Sequence, residues 1–127
     1  MQGKRLFEYA VLRVVPRVER EEFCNIGVVL FSKEARFLQC SFHLNEARLR
    51  ALYADLDLEE LKQYLASFER ICMGSKQGGV IAQLDQPSRF RWLTATRSTI
   101  LQASKVHPGF CEDPEKALHK LVEELVR

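Results

Sequence analysis

A chain of 127 residues and 14.7 kDa, 46% hydrophobic and 28% charged, is long enough to bury roughly two-thirds of its unfolded surface in one core, and its composition is that of an ordinary globular protein. The expectation is one domain over residues 1–127, with no internal repeat and no collagen-like, low-complexity or disordered segment. A net charge of +2, from 19 basic and 17 acidic residues, lacks the clear basic excess of a dedicated nucleic-acid binder, and no apolar run approaches the roughly 20 residues of a membrane span.

The first elements form around residues 7–31, two β-branched, aromatic-rich runs on either side of a polar connector that begins at Pro16. Lys4 and Arg5 ahead of an apolar stretch have the outline of a signal peptide. Glu8 and Arg13 interrupt it, however, and no small-residue cleavage site follows, so a cytoplasmic protein is expected. A strand over residues 7–15 places Phe7, Tyr9, Val11, Arg13 and Val15 on one face and Glu8, Ala10, Leu12 and Val14 on the other. Both faces are largely apolar, the pattern of an interior strand covered on each side. Residues 17–21 read as a solvated tip, and a second strand follows over residues 22–31. Gly27 in its middle marks a bulge or a close backbone approach. A third strand, residues 36–44, alternates Leu38, Cys40, Phe42 and Leu44 with wetter residues and completes a meander.

Helices follow. Asn45 is a fitting N-cap for a short helix ending near Tyr53. Asp57 with Glu60 resembles a capping box, and Leu58, Leu61, Leu65, Phe68 and Cys72 form the stripe of an amphipathic helix that Gly74 stops. Residues 80–82 are expected to add a short edge strand. Ser88 is expected to cap a helical turn over 89–95, residues 100–106 to form a strand, and His107-Pro108-Gly109 to break the chain. Asp113 and Pro114 open a last helix with Leu118, Leu121, Val122 and Leu125 on one side. The fold class is therefore α+β: an antiparallel sheet of four to five strands with two to three helices packed on it.

Two constellations carry polar chemistry. Arg13 lies opposite Cys24 or Asn25 if the first hairpin turns at 17–20, with Glu22 in diagonal reach. An arginine inside apolar strands needs a carboxylate or carbonyls. It is read either as an Arg13–Glu22 pair that fixes the register, as an anion pocket with Asn25 as orienter, or as a side chain reaching solvent past a sheet edge. The second constellation runs from Arg89 through Arg91, Trp92 and Arg97 to Thr99. Arginines interleaved with Phe90 and Trp92 suit packing, a protein interface, or phosphate contact with base stacking. His43, His107 and His119 show no metal-protease spacing, and Cys24, Cys40, Cys72 and Cys111 show no Cys-x-x-Cys. The cysteines read as reduced structural thiols. No motif points to a reaction, a metal or a cofactor, so the sequence favours a protein that is not an enzyme.

The quoted residues also resemble a known family. Tyr9-x-x-Leu12-Arg13-x-x-Pro16, Glu22-Phe23-x-Asn25-Ile26-Gly27, Arg89-Phe90-x-Trp92-Leu93-Thr94-Ala95-x-Arg97-Ser98-Thr99, Val106-His107-x-Gly109 and Asp113-Pro114 are similar to a bacterial family catalogued as domain of unknown function 3037. The resemblance implies a small accessory partner of a kinase-like protein related to the HipA toxin family. It also implies one polar site built from Arg13, Glu22, Asn25, Arg97 and His107. Three functional readings stand at this point. The first is a cytoplasmic protein-interaction module, the second a small-anion binder or enzyme around Arg13, and the third nucleic-acid binding through Arg89, Arg91, Trp92 and Arg97.

Overall fold

A computed structural model describes residues 3–97 and 99–127. Five strands form one antiparallel sheet: β1 (Arg5–Val14), β2 (Cys24–Ser32), β3 (Phe37–Phe42), β4 (Leu101–Ala103) and β5 (His107–Cys111). Helices α1 (Glu46–Leu52), α2 (Leu58–Met73), α3 (Gly79–Ala82) and α4 (Gln86–Thr94) lie between β3 and β4, and α5 (Pro114–Leu125) closes the order. The protein is α+β, and the meander appears as β3-β2-β1, with β4 and β5 both along the far side of β1. β1 is the interior strand that its two apolar faces require.

Each face of the sheet packs helices. On one, Phe7, Val28 and Leu30 meet Leu118, Val122 and Val126 at α5. On the other, Ala10, Leu12, Val29 and Phe31 meet Phe68, Ile71 and Cys72 of α2 and Phe90 and Leu93 of α4. Val14 and Ile26 extend that layer to Leu49 of α1 and Leu61 of α2. The register between β1 and β2 slips once. Leu12 opposes Gly27 and Arg13 opposes Asn25, so Ile26 is the extra residue of a β-bulge. Gly27 beside it also allows a close approach, because a Cβ there would lie 2.6 Å from the Ser41 carbonyl oxygen and 2.6 Å from a Phe42 ring carbon.

The caps of α1, α2 and α5 follow their sequence signatures. Asn45 accepts from the Arg48 amide, Asp57 from the Glu60 amide, and Asp113 from the Glu115 and Lys116 amides; Gly74 ends α2 at φ 70°. Three expectations are corrected. Residues 80–82 belong to α3 instead of an edge strand: Ala82 is buried beside α2 and α4, and helical packing overrides the β-branched Val80-Ile81 pair. The cap of α4 is Asp85, which accepts from the Ser88 amide, so the helix starts three residues earlier with Pro87 in its first turn. His107-Pro108-Gly109 does not break the chain; it lies in β5. There the proline is tolerated because its ladder position faces away from β1, and Phe7 packs against Gly109, where a Cβ would come within 2.5 Å of its ring. The strand expected over 100–106 is correspondingly cut to β4.

Candidate functional site

The bulge at Ile26 sets the local geometry around Arg13. On one side the residue pairs with Asn25 of β2, one of the two partners the hairpin register allows, and on the other with Gln102 of β4. Its guanidinium carbon lies 4.0 Å from the centre of the Phe23 ring, a cation–π contact. The buried Nε has no hydrogen-bond partner among the described residues. Burial pulls the guanidinium below its ordinary value, and an arginine remains charged through such a shift. The expected pair with Glu22 does not form. Glu22 bonds to Arg20 instead, two residues away on the exposed tip, where a local partner costs far less chain ordering.

Arg97 reaches the same region from the segment after α4. It donates to the carbonyls of Leu93 and Trp92 in the last turn of α4, the latter shared with the Ala95 amide, and stacks 4.1 Å over the Trp92 ring. Burial lowers its pKa as well. Arg13 and Arg97 line one open cleft of about 420 Å³ together with Val18, Glu21, Phe23 and Gln102. Neither guanidinium has a carboxylate within 4.0 Å among the described residues. The cleft thus carries two cations against the single carboxylate of Glu21, with aromatic and aliphatic walls.

The other sequence-derived candidates scatter. Asn25 stands opposite Arg13, yet its amide donates to the Leu125 carbonyl at the end of α5, and its Oδ1 is buried without a partner among the described residues. His107 pairs with Tyr9, four residues along β1 from Arg13, and its ring packs against the Tyr9 ring at 5.4 Å. Arg89 turns inward to the Leu84 carbonyl and lies against Gly74 at the end of α2, while Arg91 bonds to Ser88 on the surface. Leu93 is buried, and Trp92 is half in water with one ring face under Arg97. Ser98, part of the same run, lies outside the described residues. Sequence reasoning missed Gln102, Glu21 and Phe23. Gln102 was the most accessible of them, a lone polar side chain in Ile100-Leu101-Gln102-Ala103.

Among the described residues no group of three or more His, Cys, Asp and Glu side chains is placed to hold a metal ion, and no helix is long and apolar enough to cross a membrane. No curated protein and no solved structure matches the chain. One family model does, over residues 9–126, and it covers both the Arg13 and the Arg97 segments. The chain belongs to the family described as protein of unknown function (DUF3037).

Proposed function

We propose that this protein is a small interaction module that holds an anionic group of a protein partner, a carboxylate or a phosphate, in the Arg13–Arg97 cleft. The observation that carries the reading is the pairing of two guanidiniums, both without a carboxylate partner among the described residues, around one open space. Removing charge from water costs free energy that an anion bonded to both forks would offset, and charge-assisted bonds of this kind are the strong ones. Phe23 and Trp92 already fix the two guanidiniums by stacking, so little side-chain entropy is left to lose on binding. Among the described residues the cleft presents no acid–base pair, which favours recognition over catalysis. A kinase-like partner of the sort the family resemblance implies would offer such anionic groups.

Trp92 is the only tryptophan in the chain and sits beneath Arg97, so it reports on the cleft through that stacked guanidinium. Titrating the protein with phenyl phosphate and with benzoate is expected to change its fluorescence saturably. Arg13→Gln should weaken both probes about tenfold or more, a loss typical of a charge-assisted bond, while leaving the circular dichroism unchanged. A response that ignores Arg13→Gln, or no saturable response in the unaltered protein, overturns the reading.

A further inference from the structure

Resting on that reading, we propose further that the partner delivers its anion from an extended segment, which adds as a sixth strand along the outer edge of β4. β4 ends the sheet order, so among the described residues one of its sides meets no strand. Val15 donates to the Ile100 carbonyl at 2.7 Å and Ser104 donates to the Val11 carbonyl at 2.8 Å. In an antiparallel ladder the bonds alternate; residues 100, 102 and 104 therefore face β1, and the peptide groups of Leu101 and Ala103 turn outward. The Thr99 hydroxyl occupies the Leu101 carbonyl at 2.8 Å. Among the described residues no partner takes the Leu101 amide, the Ala103 amide or the Ala103 carbonyl. The neighbouring edge differs: the same alternation turns Pro108 of β5 outward, where it offers no N–H. Of the two strands along that side of β1, β4 is the one whose outward-facing residues both carry an N–H.

The two sides of β4 differ in chemistry, and an added strand would reach both. Leu101 and Ala103 line an apolar groove of about 180 Å³ with Tyr64, Phe68, Trp92 and Leu93 between α2 and α4. Gln102, between them in sequence, lines the arginine cleft on the other face of the sheet. Arg97 and Gln102 border both spaces, so groove and cleft meet at the strand edge. Successive side chains of a strand point to opposite faces. A segment alternating acidic and apolar residues would therefore place its carboxylates by Arg13 and Arg97 and its apolar side chains in the groove, while its backbone takes the free groups of Ala103. Charge complementarity selects this occupant over a purely apolar strand.

Three capped hexapeptides test the proposal with the full chain. One alternates glutamate and leucine, one carries three glutamates followed by three leucines, and one repeats the alternating sequence with N-methylated amides. Trp92 fluorescence should give the alternating peptide about tenfold tighter binding than either of the others, and hydrogen exchange should slow at the Ala103 amide when it binds. Ala103→Pro, which removes the outward-facing donor and leaves the ladder to β1 intact, should weaken that peptide to the level of its N-methylated form. Equal binding of the three peptides, or an Ala103 amide that exchanges unchanged at saturation, overturns strand addition. Either result, with benzoate and phenyl phosphate still bound in an Arg13-dependent way, leaves the anion cleft standing and makes it a small-ligand site. Loss of the small-anion response as well would remove both.

Discussion

Arg13 is held without being satisfied: stacked on Phe23, paired through its backbone on both sides, its Nε buried and without a partner among the described residues. An open buried donor works against stability, since each such group costs about 1–3 kcal/mol. Arg13→Met keeps the aliphatic stem and the contact with Phe23 but removes the charge. It is expected to leave the urea midpoint unchanged or raised while abolishing the response to benzoate; a clear loss of stability would assign Arg13 a structural role instead. Gly27 is expected to behave in the opposite way. Gly27→Ala forces a methyl group against the Ser41 carbonyl and the Phe42 ring, contacts of 2.6 Å that backbone cannot relieve, and should cost about 1–3 kcal/mol by urea denaturation. Gly3→Ala, where a Cβ would meet nothing within 4 Å among the described residues, is the neutral control. The thiols give a pH-dependent test at the same scale. A hydrogen bond with the Cys72 thiol, then burial, pushes the Cys40 thiol well up. A raised value means that the folded chain favours the protonated form, so the contribution to stability is present at neutral pH and fades only as pH rises toward the folded value. Cys40 lines a surface cleft with Glu69 and Met73, so reagent can reach it. Its alkylation by iodoacetamide at pH 8 should nonetheless be much slower than that of a free thiol, as peptide mapping would show. Both Arg13 and Gly27 stood out in the sequence because neither suits an interior strand. Their partners did not, because diagonal reach to Glu22 says nothing of the competing Arg20 two residues away.

At the scale of elements, legibility followed how local the determining interaction is. An N-cap is settled within three residues, and Asn45, Asp57 and Asp113 all act as the sequence pattern implies. Asp57→Ala should therefore cost about 1 kcal/mol, read as a lower thermal midpoint, and Asp57→Asn much less. Where tertiary packing decides, local pattern misled. Val80-Ile81-Ala82 has strand propensity, yet Ala82 fits under the end of α2 only as a helical turn, with Gly78 so close to it that a Cβ would lie 2.6 Å from the Ala82 Cβ. Pro108 and Gly109 read as a break because proline and glycine usually end strands. At an edge, a missing N–H that faces outward is no loss, and a ring from the next strand can fill the space a glycine leaves. The Ser104 hydroxyl, which accepts from the Val11 amide at 2.8 Å, stands in for a ladder carbonyl where β4 gives way to β5, a substitution that no periodicity encodes.

Taken whole, the molecule is a sheet whose centre is enclosed and whose β4 margin is not. β1 pairs on both sides and is covered on both faces, with Ala10 and Val14 fully buried, so its opening requires most of the core to open. That enclosure was legible because two apolar faces on one strand demand two covering layers. The cleft was not, because it joins the bulge region of β1 to a segment more than eighty residues later, and nothing local links Arg13 to Arg97 or Gln102. Hydrogen exchange of the unliganded protein should reproduce this division. The Ala10 and Val29 amides, in the β1–β2 ladder, should exchange only with global unfolding and follow its denaturant dependence. The Leu101 and Ala103 amides, turned outward on a three-residue edge strand, should exchange orders of magnitude faster and with little denaturant dependence. An Ala103 amide as slow as that of Ala10 would mean that this edge is already covered in the free chain. No strand could then be added there, and the arginine cleft would have to take its anion from a ligand that makes no use of the sheet.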